Sequence, residues 1–159
     1  MAEFTHIDDK NRARMVDVTG KEPSLREAVA GGRVFMKPET VREIETGKVA
    51  KGNVYGVAKI AGIMAAKMTG NLIPMCHPLE LTGIDIDFTA DPERGEISIE
   101  ARVKTVGRTG VEMEAMTAVS MAALTIYDMC KSADREIVLS EIKLLKKSGG
   151  KSGTFVREG

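Results

Sequence analysis

The chain has 159 residues, 43% of them hydrophobic, and its 23 basic residues are balanced by 23 acidic ones, for a formal charge of zero. That length supports one good hydrophobic core and not two. A neutral chain has no field with which to hold a nucleic-acid backbone, and with no Trp and 4% aromatic residues it has few ring faces for stacking bases, so nucleic acid is not an expected partner.

Cys76 and Cys130 lie far apart, and no basic segment followed by an apolar core opens the chain; free thiols in a reducing, cytoplasmic setting are expected. The most apolar stretches, 54–68 and 111–129, are interrupted by Lys59 and Lys67 and by Glu112, Glu114 and Asp128, so no membrane span is expected.

In chain order, residues 1–14 mix charge and polarity without periodicity and are expected to be disordered. A short strand is expected at Met15 to Val18 and a second at Ala28 to Met36. Pro38 then opens a brief polar helix that Gly47 closes. Asn53 is placed to cap a helix running to about Met68, with Gly70 as its stop, and Ala58, Ala61, Gly62, Ala65 and Ala66 allow that helix to pack closely.

Ile84, Ile86 and Phe88 alternate with Asp85, Asp87 and Thr89, as Ile97, Ile99, Ala101 and Val103 alternate with polar residues, and Asp91-Pro-Glu-Arg-Gly95 joins the two runs as a hairpin. A long helix follows from about Val111 to Ala133. The closing strand spans about Ile137 to Leu145, and its apolar phase slips between Leu139 and Ile142, which predicts a bulge. The main elements run β-α-β-β-α-β, the order of the α+β, ferredoxin-like sandwich with an antiparallel sheet, here with an extra N-terminal strand and short helix. Residues 15–147 are expected to form this single domain, and 148–159 a flexible Gly/Lys-rich tail.

Four features could carry chemistry. In Ile73-Pro-Met-Cys-His-Pro-Leu79, two prolines stiffen the connection that presents His77; the plain alternative is that His77 satisfies a local carbonyl. Two Cys and two His without a paired spacing do not form a zinc quartet, and no metal site is expected. Asp128 and Lys131 share a helix face within an apolar run. An exposed pair of this kind contributes only ~0.2–0.5 kcal/mol, whereas a partly desolvated one can move protons, and the apolar neighbours favour partial desolvation.

The third feature is Gly107-Arg-Thr-Gly-Val-Glu-Met-Glu114, which opens the long helix and could receive a phosphate on its free backbone N–H groups. Alternatively, Thr109 and Glu112 form a capping box, a local duty that Glu114 lacks. The fourth is a set of lysines, Lys51, Lys67, Lys146 and Lys147, each a solvated charge if taken alone. Gly149-Gly-Lys-Ser-Gly153 is not a Walker motif, because the required earlier glycine falls at Leu145; it could be a cationic lid over phosphates.

From Glu114 to Asp128 is fourteen residues, roughly 21 Å along a helix at 1.5 Å per residue. One small ligand would struggle to reach both ends within one chain. If both ends serve one site, two subunits must share it, and a homo-oligomer is predicted.

Met15-Val-Asp-Val18, Lys51-Gly52, Ile60-Ala-Gly-Ile63, Ala65-Ala-Lys67, Leu72-Ile-Pro-Met-Cys-His-Pro-Leu79, Gly110-Val-Glu-Met-Glu-Ala115, Ala122-Ala-Leu-Thr-Ile-Tyr-Asp-Met-Cys-Lys131 and Lys147-Ser-Gly-Gly-Lys-Ser-Gly153, in this order, resemble the cyclic pyranopterin monophosphate synthase (MoaC) family of molybdenum cofactor biosynthesis. The likeness covers nearly the whole chain. It implies a lyase that converts 3′,8-cyclo-7,8-dihydroguanosine 5′-triphosphate to a pterin carrying a cyclic phosphate, with release of pyrophosphate. It also implies the ferredoxin-like fold and a homohexamer, a trimer of dimers with sites at subunit interfaces.

Carried onto matching positions, the resemblance makes Asp128, Lys51 and Lys131 the catalytic group. Met75, Cys76, His77, Met113 and Glu114 would line the substrate, with Glu112, Lys67, Arg26 and Lys147 as further contacts. No resident cofactor is implied, although Mg2+ could accompany the triphosphate. Asn53, Lys59 and Met75 depart from the residues common in the family (Asp, Arg and Leu) without removing a proposed catalytic group. Two other classes fit the residues less well: a ligand-sensing module would bind without turnover, and a structural oligomer leaves His77 and the Asp128/Lys131 pair unexplained.

Overall fold

The computed structural model describes residues 4–159. Its elements are β1 (Ser24–Phe35), α1 (Pro38–Glu45), α2 (Val54–Lys67), α3 (Thr69–Leu72), β2 (Leu81–Asp91), β3 (Glu96–Gly107), α4 (Glu112–Cys130), β4 (Val138–Ser148) and β5 (Phe155–Val156). The sheet order is β2-β3-β1-β4-β5, antiparallel throughout. Each main crossover skips a strand: the chain passes from β1 to β2 with β3 between them, and from β3 through α4 to β4 with β1 between them. This is the ferredoxin-like split β-α-β arrangement expected from the element order.

The alternating residues of β2 and β3 point their apolar members at the helices, with Ile86 opposite Ala101 and Phe88 opposite Ile99. Asp91 pairs with Glu96 across the turn. Gly95 has φ +63°, and a Cβ there would sit 2.1 Å from the Met36 carbonyl oxygen, so the position accepts only glycine without rearrangement. β1 is the central strand, and Ala28, Ala30 and Val34 are wholly buried beneath α4.

The slip expected in the closing strand is a bulge: the register passes from Gly31 opposite Lys143 to Arg33 opposite Ser140, so that two residues of β4, Glu141 and Ile142, face Gly32 alone, with Glu141 at φ +53°. Asn53 caps α2 as expected, its side-chain oxygen accepting from the Gly56 N–H at 3.0 Å. α2 packs on α4 through small residues, including Ala58 on one helix and Ala118 and Ala122 on the other.

Several boundaries differ from expectation. Residues 15–18 form no ladder: this extended stretch finds a side-chain partner instead, since His77 Nε2–H donates to the Val16 carbonyl. Gly70 does not end the helix. The chain turns again as α3, and Gly70 lets it pass close to Pro78, 3.1 Å from a Cβ built at the glycine. β1 begins at Ser24 rather than Ala28, because its first residues pair with the end of β3 although they lack an apolar pattern.

The segment expected to be disordered, 1–14, lies partly outside the described residues. From Phe4 onward it is drawn into a turn in which Asp8 accepts from the backbone N–H groups of Lys10 and Arg12, and Ile7 bridges Ala13. At the other end, Phe155 and Val156 pair with Lys147 and Lys146.

Candidate active site

Two groups of side chains stand at opposite ends of α4. At its C-terminal end, Lys51 and Lys131 converge on Asp128. Lys131 Nζ donates to Asp128 Oδ1 at 2.9 Å; Lys51 Nζ donates to the Asp128 backbone oxygen at 3.0 Å and lies 3.7 Å from Oδ1. Local structure places each group. Gly52, at φ +111°, turns the chain from Lys51 into the Asn53 cap, and Lys131 follows the last helical turn, where a cation also meets the negative end of the helix dipole.

The hydrogen bond and charge of Lys131, reinforced by Lys51, hold the Asp128 carboxyl below its ordinary range. Asp128 is therefore an acceptor and an anchor for two ammonium groups near neutral pH. The expected partial desolvation of the Asp128/Lys131 pair is not present in the single chain: the side chains are 59% and 51% exposed. Ala122, Ala123, Ile126 and Met129 are buried on the inner face of α4, whereas Leu124 is exposed and the pair itself lies outside the core.

At the N-terminal end of α4, a cavity of about 230 Å³ is lined by Met75, Cys76, His77, Glu112, Met113 and Glu114. The proline-bounded loop supplies the first three. His77 does satisfy a carbonyl, that of Val16, and so fastens residues 15–18 against the loop. Burial, reinforced by the charges of Glu114 and Glu112, raises the Cys76 thiol, which leaves it a neutral wall rather than a nucleophile.

Thr109 and Glu112 form no capping box. The α4 cap carries no side-chain bond, and Glu112 Oε1 instead meets Lys147 Nζ at 2.7 Å. The ion pair displaces the cap because β4 extends past Leu145 and brings Lys147 to the helix start. Arg26 is buried beside this region and donates to the carbonyls of Gly107 and Arg108. Lys67, at the last residue of α2, is exposed and is not among the residues that line the cavity.

Residues not singled out in the sequence also face this cavity: Thr5, His6, Val16, Val18 and Lys21. They come from a segment without periodicity; Val16 and Val18 were signalled only by the Met15-Val-Asp-Val18 match, and Thr5, His6 and Lys21 by nothing in the sequence.

Glu114 is only 4% exposed, and burial pushes its carboxyl up to about 7, with the Glu112 charge adding to the rise and a backbone hydrogen bond opposing it. Near neutral pH it can therefore both donate and accept. Starting from the ordinary value of 4.5, the unfolded chain releases this proton first. Folding stability accordingly falls as pH rises from about 4.5 to about 7 and levels off above. At about 1.4 kcal/mol per pH unit the loss is on the order of 3 kcal/mol. Glu114→Gln is expected to remove this slope when urea unfolding is followed against pH at fixed protein concentration; parallel profiles would count against the burial argument.

A carboxylate clamped between two lysines and a separate acid-lined cavity, both on an α+β sandwich, are the equipment of an enzyme of small-molecule chemistry. The family model of the MoaC family matches residues 15–150, and the chain belongs to that family. A protein of Pelotomaculum thermopropionicum is 62% identical over 159 residues, covering 100% of this chain and 94% of the relative. One of Thermoanaerobacter sp. strain X514 is 62% identical over 155 residues, 98% of each. One of Roseiflexus sp. strain RS-1 is 56% identical over 158 residues, 99% of this chain and 100% of the relative. Each is named cyclic pyranopterin monophosphate synthase.

Proposed function

We infer that the chain is a lyase of molybdenum cofactor biosynthesis, converting 3′,8-cyclo-7,8-dihydroguanosine 5′-triphosphate to cyclic pyranopterin monophosphate and pyrophosphate. The observation that carries this reading is the convergence of Lys51 and Lys131 on Asp128 across 77 residues of sequence, in a chain similar over its whole length to synthases of that name. The rearrangement needs proton transfers at ring atoms and cations near an expelled, highly anionic pyrophosphate. Two ammonium groups on one carboxylate suit both needs: Asp128 fixes their positions, and the lysines give and take protons. Met75, Cys76, His77 and Met113 would enclose the ring system, with Glu112 and Glu114 accepting from its N–H donors, and Arg26, Lys67 and Lys147 meeting its anionic part.

The reading includes a homohexamer built from dimers, with each site shared between subunits. Support comes from the length of α4. It runs unbroken from Glu112 to Cys130 and so holds Glu114 and Asp128 roughly 21 Å apart. Further support is an outward apolar stripe on α2, formed by Val57, Ile60, Met64 and Met68, all exposed in the single chain at spacings of three and four residues. Burial of that stripe in an assembly would also desolvate the catalytic group if its exposed end meets a neighbour.

The chemistry is a rearrangement without net oxidation or reduction, so side-chain acids and bases suffice and a resident cofactor is not part of the proposal; Mg2+ could arrive with the triphosphate. A cytoplasmic location suits a GTP-derived substrate and the two unpaired cysteines, Cys76 and Cys130. Among the described residues no helix is long and apolar enough to cross a membrane.

Incubation of the purified protein with the cyclised GTP intermediate tests the function, with pterin and pyrophosphate followed together. The two are expected in equal amounts. Tight binding without either product would favour the ligand-sensing reading instead.

A further inference from the structure

Among the described residues, α1 supplies nothing to the lysine and aspartate group or to the cavity at the other end of α4. Its two ends are nevertheless bonded to the two chain segments that carry the lysines. We propose that α1 is a brace that sets Lys51 and Lys131 against each other, with Tyr55 and Asp134 as positioning residues, a role that rests on the function inferred above.

The first tie is at the C-terminal end of α1. Lys51 lies in the segment 46–53 that joins α1 to α2. Gly47 and Gly52 turn this segment at φ +71° and +111°, and a Cβ at either would meet nothing within 4 Å, so packing does not fix the turns. Tyr55 closes the segment. Its hydroxyl donates to Oε1 of Glu45, the last residue of α1, at 2.6 Å, and its ring stacks on Phe88 of β2 with centroids 5.1 Å apart. Burial, then the bond to Glu45, raises the hydroxyl above its ordinary range, so it stays a donor near neutral pH. A hydrogen bond to a carboxylate is roughly twice as strong as a neutral one.

The second tie is at the N-terminal end. Asp134, three residues beyond Lys131, is 3% exposed. Its Oδ2 accepts from the Lys37 N–H at 2.9 Å and its Oδ1 from the Glu136 N–H at 3.0 Å, so both oxygens are engaged. Lys37 is the N-cap of α1 and makes no side-chain capping bond. A carboxylate from beyond α4 stands there instead, at the positive end of the helix dipole. The Asp134 N–H in turn donates to the Cys130 carbonyl at 3.1 Å, which holds Lys131 in the turn that ends α4.

α1 itself is anchored, with Val41 and Ile44 in the core. Cys130 lies among the same groups: burial pushes its thiol up to about 11, the charges of Glu43 and Asp134 add to the rise, and that of Lys51 opposes it. Lys51 and Lys131 are half exposed and reach Asp128 from distant parts of the chain. An anchored helix tied to both segments fixes what those ion pairs leave loose. Displacing a reacting group by about 1 Å can cost on the order of 10²-fold in rate.

Tyr55→Phe removes the first tie and keeps the ring stack. Assayed on the assembled protein well below its thermal midpoint, it is expected to lower kcat about three- to tenfold with KM within about twofold, because the cavity at the start of α4 is untouched. Asp134→Ala should lose at least about tenfold, and Asp134→Asn, which keeps an acceptor for the Lys37 N–H, should recover part of it. Adding Glu45→Ala to Tyr55→Phe should cost nothing more, since the two act as one tie. Arg42→Ala, which removes the Glu93 ion pair from the same helix, should leave kcat unchanged.

Wild-type kcat in Tyr55→Phe overturns the proposal, whether or not Asp134→Ala assembles. An equal loss in Arg42→Ala also overturns it, since that would mark general loosening of α1. Amide hydrogen exchange separates this inference from the function beneath it, because it needs no substrate. The Lys48 and Gly52 N–H groups, bonded to the Glu43 and Val49 carbonyls, should exchange several-fold faster in Tyr55→Phe. Faster exchange in a protein that forms no pterin leaves the brace and removes the assigned reaction. Pterin formation at the same kcat in Tyr55→Phe and wild type removes the positioning role and leaves the function.

Discussion

Lys51→Ala is expected to lower turnover of the cyclised GTP intermediate by about 10³-fold, with Lys131→Ala and Asp128→Ala in the same range. The magnitude is that of a positioned acid or base lost from a reaction that cannot use bulk water equally well. Because the Lys51, Lys131 and Asp128 side chains are 44%, 51% and 59% exposed in the protomer, the variants should fold with stability changes within roughly 1 kcal/mol. Activity and thermal midpoint together therefore decide the matter. Near-wild-type turnover in the alanine variants would show that the cluster is an ordinary surface ion pair. Asp128→Asn keeps an acceptor for Lys131 and removes the charge, so it separates geometry from electrostatics: partial activity would mean that holding the lysines in place is the larger part of the Asp128 role.

Gly62→Ile should be the most disruptive single change in the helical layer. Gly62 sits on α2 against α4, where a Cβ would come within 2.5 Å of Ile86 Cδ1 and 2.9 Å of the Ala118 carbonyl oxygen. The first contact is with a flexible side-chain end and can yield. The second is helix backbone, which moves only if α4 moves. Overpacking of this kind costs about 1–3 kcal/mol, and a branched side chain belongs at the upper end. Lys51 stands just ahead of α2 and Asp128 on α4, so spreading the two helices should also lengthen their contact. A thermal midpoint lowered by several degrees, with turnover falling in parallel, is the expected result; an unchanged midpoint would contradict the close packing.

The sheet and the long helices were legible because their patterns are local. Ile84, Ile86 and Phe88 alternate against carboxylates, Asn53 stands three residues before the amide that it caps, and the bulge in β4 announced itself as a slip in apolar phase. The segment before Ser24 was not legible for the converse reason. Its residues are held by single contacts, such as His77 on Val16, that leave no period in the sequence.

The site divides in the same way. Glu114 drew attention because no local duty explained it, and the structure places it, buried, in the wall of the cavity at the start of α4. The capping-box alternative for Glu112 fails because its partner, Lys147, lies 35 residues away in sequence and only the extended β4 brings it near. The convergence of Lys51 on Asp128 follows from no pattern; it was reached through the family resemblance alone.

In the proposed assembly one working site takes its lysine and aspartate end from one subunit and its Glu114 end from another. Subunit mixing tests it most directly. Glu114→Ala and Asp128→Ala proteins, each inactive alone, are dissociated, combined in equal amounts and reassembled, with wild-type protein carried through the same steps. Random pairing gives about one site in four two intact halves, so roughly a quarter of wild-type turnover should return. If the mixture reassembles and stays as inactive as its components, each site belongs to a single chain and the shared-site account is wrong.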